Sequence, residues 1–133
     1  MDNTINLDRS QRLDIICRKG DTFTLNLELK DDNGNAIDLT GNPFDIYSFL
    51  MEVRLSDTSS TVVLTPTPNI ASTVDGLVTF SVPAAGMVVN AGLYVYDIQQ
   101  TRTDTVSRPV NTQELSVETL LFGTFKINED VTV

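Results

Sequence analysis

In Thr22–Lys30 (TFTLNLELK), Phe23, Leu25, Leu27 and Leu29 alternate with Thr24, Asn26, Glu28 and Lys30. Successive side chains of an extended chain point to opposite sides, so this spacing separates an apolar face from a wet one only as a β-strand. The pattern recurs. GLVTFSV (76–82) sets Val78, Phe80 and Val82 on one side. IYSFLMEVRLS (46–56) places Phe49, Met51, Val53 and Leu55 opposite Ser48, Glu52 and Arg54. VETLLFGTFKI (117–127) gives Leu121, Phe125 and Ile127 a common face with Gly123 between them, and LDIICR (13–18) reads as a shorter strand. Helical periodicity is not sustained for three turns anywhere.

Turn chemistry separates these runs. Gly20-Asp21 turns the chain, and Asn33-Gly34 within DDNGN supplies the positive φ of a tight turn. AIDLTGNP (36–43) makes a second connection, and DTSST (57–61) leads into VVLTPTPN, where Pro66 and Pro68 restrict pairing to a sheet edge. PAAGMVVN (83–90) breaks the alternation and fits one helical turn crossing between sheets. About seven short antiparallel strands with close turns predict an all-β sandwich. At 133 residues, 41% apolar and 20% charged, the chain fits one globular domain with its own core. Residues 1–12 are read as an N-terminal arm and 13–133 as the domain. The arm offers Ile5, Leu7 and Arg9 as candidate contacts with a neighbouring subunit.

AGLYVYDIQQ (91–100) refines the fold class. The chain has three Tyr and no Trp, yet two of the tyrosines stand two residues apart after Ala91-Gly92. In immunoglobulin-like sandwiches a Tyr near the start of strand F hydrogen-bonds back to the backbone at the E–F corner, two residues before a core cysteine. Gly92 and Tyr94 fit that corner, and Tyr96 stands in the cysteine's place. Both rings are expected to face inward, with the Tyr94 hydroxyl on a backbone carbonyl. The expectation is therefore an immunoglobulin-like sandwich with a long F–G connection.

Chemistry is sparse. The chain has no histidine, which removes Ser-His-Asp and Cys-His nucleophiles and histidine metal sites. Cys17 precedes Arg18 and Lys19 but lies in an apolar strand and reads as an inert thiol. A single cysteine excludes an internal disulfide and fits synthesis in a reducing cytoplasm. The acidic turn Asp31-Asp32-Asn33-Gly34-Asn35 fails as a calcium loop, with Ala36 at the sixth position in place of glycine and Asn42 at the twelfth in place of glutamate; Asp38, Asp45 and Asp97 are further carboxylates whose convergence on it the sequence does not show. The net charge of −9 argues against nucleic acid, and no apolar run is long enough for a membrane span. The polar start MDNTINLDRS is not a signal peptide. No cofactor and no enzymatic activity are expected. QTRTDTVSRPVNTQELS (100–116) is the best candidate contact surface, with Arg102, Arg108, Pro109 and Asn111. It reads as a partner-gripping loop or as a ribbon extending strands F and G.

The ordered segments GDTF (20–23), DLTG (38–41), AGLYVYD (91–97) and GTFKINEDVT (123–132) resemble small virion structural proteins of tailed bacteriophages. They are also similar to the immunoglobulin-like N-terminal domain of phage upper-baseplate proteins. The resemblance covers about residues 13–133. It implies an oligomeric module that joins other virion proteins, made in the host cytoplasm and carried on the particle. Because no receptor-binding domain follows residue 133, a capsid-attached head fibre or decoration subunit is expected before a baseplate or tail adaptor. A carbohydrate-binding module, stacking sugars on Tyr47 or Tyr94, is the alternative from another class.

Overall fold

A computed structural model describes residues 10–30, 33–37, 39, 45–104 and 113–129. The strands are β1 (Gln11–Arg12), β2 (Ile15–Arg18), β3 (Phe23–Glu28), β4 (Asp45–Arg54), β5 (Val62–Leu64), β6 (Thr67–Ser72), β7 (Leu77–Val82), β8 (Gly92–Asp104) and β9 (Gln113–Asn128). They form two sheets. The larger has the order β1-β9-β8-β4-β5, with β2 also on β9, and the smaller has the order β3-β7-β6. This is the immunoglobulin-like sandwich, with β8 and β9 as strands F and G.

The apolar sides of the alternating strands meet between the sheets. Phe23 and Val82 pair across β3 and β7, while Phe80 and Val78 are fully buried behind them. Facing them are Phe49, Met51 and Val53 of β4, Tyr94, Tyr96 and Ile98 of β8, and Leu121, Phe125 and Ile127 of β9. Phe125 lies at the centre, its ring edge-on to Phe23 at 5.3 Å and to Tyr96 at 6.2 Å. Each such ring contributes most by its buried area, and the edge-to-face geometry adds to it.

Prolines and glycines act where the sequence placed them. Pro68 lies in β6, an edge strand, and Pro66 is buried where the chain passes from β5 in one sheet to β6 in the other. A single 3₁₀ turn, Ala84–Gly86, carries the chain back from β7 to β8. Gly34 has φ +82° in the turn closed by the Lys30–Ala36 bridge.

Three details differ from the sequence reading. First, β1 begins at Gln11, inside the expected arm, and β1 and β2 run parallel to β9 rather than antiparallel. Second, Leu55 does not face inward: β4 ends at Arg54, and Leu55 enters the turn half exposed. Third, of the two readings of 100–116 the loop gives way to the ribbon in the described part, because β8 continues to Asp104 and β9 begins at Gln113. The two strands pair to their ends, Asp104 opposite Gln113.

β4 also follows this ribbon to Asp45. The strands of the small sheet have six residues each, about 20 Å, whereas the 13 residues of β8 span about 43 Å. The large sheet therefore overhangs the small one.

Candidate functional site

The register that buries Val53, Tyr96 and Phe125 turns their neighbours outward. Glu52 stands directly opposite Asp97, Asp97 opposite Phe122, and Phe122 opposite Arg12. These four residues form one row across β4, β8, β9 and β1 on the outer face of the large sheet. Two residues along, Arg54 pairs with Val95 and Val95 with Thr124. Together they line a groove of about 360 Å³, with Asp57 of the β4–β5 turn at one end.

Two carboxylates directly opposite on neighbouring strands, with Cβ atoms about 5 Å apart, repel and need a cation. Arg54 supplies it to one of them, donating from Nη2 to Glu52 Oε1 at 2.6 Å. Arg12 is committed elsewhere, to Asp14 at 3.3 Å. Asp97 makes no hydrogen bond or ion pair among the described residues. Burial pushes its carboxyl pKa up, Arg54 opposes that rise at longer range, and the charge of Glu52 adds to it.

Below the groove, the first and last strands are locked together. Between β1 and β2 the chain breaks step at Leu13-Asp14. The Leu13 N–H donates to the Phe122 carbonyl at 2.9 Å, and Asp14 Oδ1 accepts the Thr124 N–H at 3.0 Å. That backbone bond is the main reason the Asp14 carboxyl pKa lies below its usual value. The Tyr96 hydroxyl donates to the Leu13 carbonyl at 2.5 Å, and burial pushes its pKa up to about 12. Gly123 lies opposite Tyr96, and a Cβ there would sit 2.3 Å from the Leu13 carbonyl oxygen, so only glycine fits.

The other residues singled out in the sequence fall as follows. Tyr94 donates from its hydroxyl to the Asn90 carbonyl at 2.6 Å, the corner bond assigned to it, and its ring is buried. A Cβ on Gly92 would make only ordinary contact with that ring, at 3.5 Å, so space alone does not demand this glycine. Tyr96 fills the core beside Phe125. Arg102 lies on the overhang, opposite Tyr47 and Ser116, with a buried Nε that has no hydrogen-bond partner. Arg108, Pro109, Asn111, Ile5, Leu7 and Arg9 lie outside the described residues. So do Asp31, Asp32 and Asp38; Asp45 lies at the far end of β4 from Glu52, and Asp97 meets Glu52 instead. Cys17 is half-buried, and desolvation raises its pKa. Among the described residues no group of three or more carboxylate or thiol side chains is placed to hold a metal ion, and no helix is long and apolar enough to cross a membrane.

Sequence reasoning missed the groove. Glu52 and Arg54 read as solvated strand positions, and Phe122 as part of an apolar strand. Their one local signal is that Glu52 and Arg54 share a face two residues apart. A scan of protein-family models and a search of curated proteins find no match to this chain.

Proposed function

We propose that the chain is a structural module of a tailed-bacteriophage virion, attached to the capsid as a head-fibre or decoration subunit and acting through protein contacts. The reading rests on the resemblance carried by GDTF, AGLYVYD and GTFKINEDVT within an immunoglobulin-like sandwich. In the fold, Phe23, Tyr94, Tyr96, Phe125 and Ile127 of these segments are core residues, so their kinship speaks first to the scaffold. The observation that supports a contact role is the overhang: β4, β8 and β9 stay paired to Asp45, Asp104 and Gln113, beyond the length of the six-residue strands of the small sheet. A module with one such projection per copy gains strength by repetition on a symmetric shell. Oligomerisation and contact with capsid protein belong to the same reading, as does the absence of catalysis. A baseplate or tail adaptor would use the same projection. Sugar stacking on Tyr94 is not available, because its ring is buried.

Mass spectrometry of purified particles, with heads and tails separated, tests this. The chain is expected in multiple copies with DNA-filled heads. Its absence from particles overturns the reading, and recovery with tails alone transfers it to the baseplate.

A further inference from the structure

We infer that the groove on the outer face of the large sheet is a socket for an arginine side chain presented by a partner protein. This inference is independent of the virion reading.

Charge complementarity carries it. Of the groove's charged side chains, Arg54 and Glu52 satisfy each other at 2.6 Å, and Arg12 is engaged with Asp14 at 3.3 Å. Asp97 remains in the middle of the row, half-buried and without a hydrogen bond or ion pair among the described residues. A half-buried carboxylate left in that state carries a desolvation cost that a charged donor removes. Asp57, at the end of the groove, makes no salt bridge either among the described residues and adds to the negative potential.

The shape selects guanidinium. Phe122, directly across from Asp97, keeps 38% of its surface exposed beside the carboxylate. A planar cation can stack on that ring while its N–H fork reaches the carboxylate with two hydrogen bonds, whereas a lysine ammonium brings a point charge without that fork. Around the groove the same face leaves Ile16, Leu50, Val62 and Leu93 exposed. By register they lie on rows flanking the ionic centre: Ile16 and Leu93 opposite Lys126, Leu50 opposite Gln99, Val62 opposite Arg54. A charged anchor within an apolar surround is the arrangement of an interface in which one desolvated contact supplies most of the binding.

The test uses the full chain, labelled with ¹⁵N, titrated with N-acetyl-arginine amide and, separately, with its uncharged isostere N-acetyl-citrulline amide. The expected result is saturable shifts at the amides of Val95, Asp97, Phe122 and Thr124 with the arginine probe, and affinity weaker by about tenfold or more for citrulline. Asp97→Asn, checked to be folded by its own spectrum, should lose binding to the same degree. Phe122→Leu should weaken it several-fold while leaving the groove apolar. Equal binding of both probes, or of wild type and Asp97→Asn, overturns the inference. So do shifts at this face that depend on protein concentration without any probe, since those assign the face to a second copy of the chain.

Discussion

The two halves of β8 follow opposite rules. From Gly92 to Ile98 alternate residues are buried, and both tyrosine hydroxyls find backbone carbonyls. From Gln99 to Arg102 the described side chains are all half-buried, the register slips at Ile98/Gln99 and again at Arg102/Thr103, and Arg102 keeps a buried Nε unpaired. Pairing with β4 runs without a slip through both halves to Asp104, and pairing with β9 resumes after each slip. The difference lies in where the small sheet ends: Leu27 and Leu29 still line a cleft with Gln100, and Phe49 opposite Gln100 is buried, so the cover thins beyond Gln100. Alternation encodes burial only where a second layer exists to receive it. Beyond that layer the ladder persists, but the side chains are free to serve something else.

Five measurements can break or sharpen this contrast. Phe125→Ala, opposite Tyr94 in the covered half, should cost about 3–5 kcal/mol in urea unfolding, because a fully buried ring leaves a cavity. A loss below about 1 kcal/mol, within the range of an ordinary surface change, would falsify the idea that stability resides in this half. Gly123→Ala should cost about 1–3 kcal/mol by overpacking against the Leu13 carbonyl. If the seam simply opens, hydrogen exchange should show lost protection at Leu13 and Thr124 while Phe80 stays protected.

Tyr94→Phe should lower stability by about 1 kcal/mol through the missing corner bond; an unchanged melting curve refutes that role. Asp97→Asn should act through pH. The Asp97 carboxyl pKa is raised above 3.8, so the folded state holds its proton longer than the unfolded chain does. Stability from this group is therefore present at low pH and is lost as pH rises through the raised value. The substitution should flatten that limb and leave the protein slightly more stable near neutrality. Asp14, whose pKa is lowered, works in the opposite sense: its contribution is present above the ordinary value and lost on acidification. The smallest effect belongs to the uncovered half. Replacing 105–112 by an Asn-Gly turn between the paired Asp104 and Gln113 should change stability by less than about 0.5 kcal/mol. A larger fall in melting temperature would show that the overhang is part of the core.

Much of the scaffold was legible because its signals are local. TFTLNLELK and GLVTFSV state their own faces, Pro68 announces an edge, and the Tyr94 corner spans four residues. The misreadings come from relations the chain does not carry locally. Parallel pairing of Gln11 with Leu121 and of Ile15 with Phe125 joins segments 110 residues apart, which no turn residue encodes. The groove depends on a β4–β8 register that brings Glu52 opposite Asp97, and a one-residue slip would have sent one of them inward. Leu55 has the right parity and the wrong setting, since the strand ends one residue before it.

The seam at Leu13-Asp14 also imposes an order of events. Its partners, Phe122, Gly123 and Thr124, belong to the last strand, so β1 and β2 can find their places only after β9 has been made. On a ribosome the small sheet and the β4–β5 hairpin are synthesised well before that. The earliest residues of the domain must then wait, unpaired, for the latest ones, and the closing of this fold is timed by the synthesis of β9 rather than by that of β1.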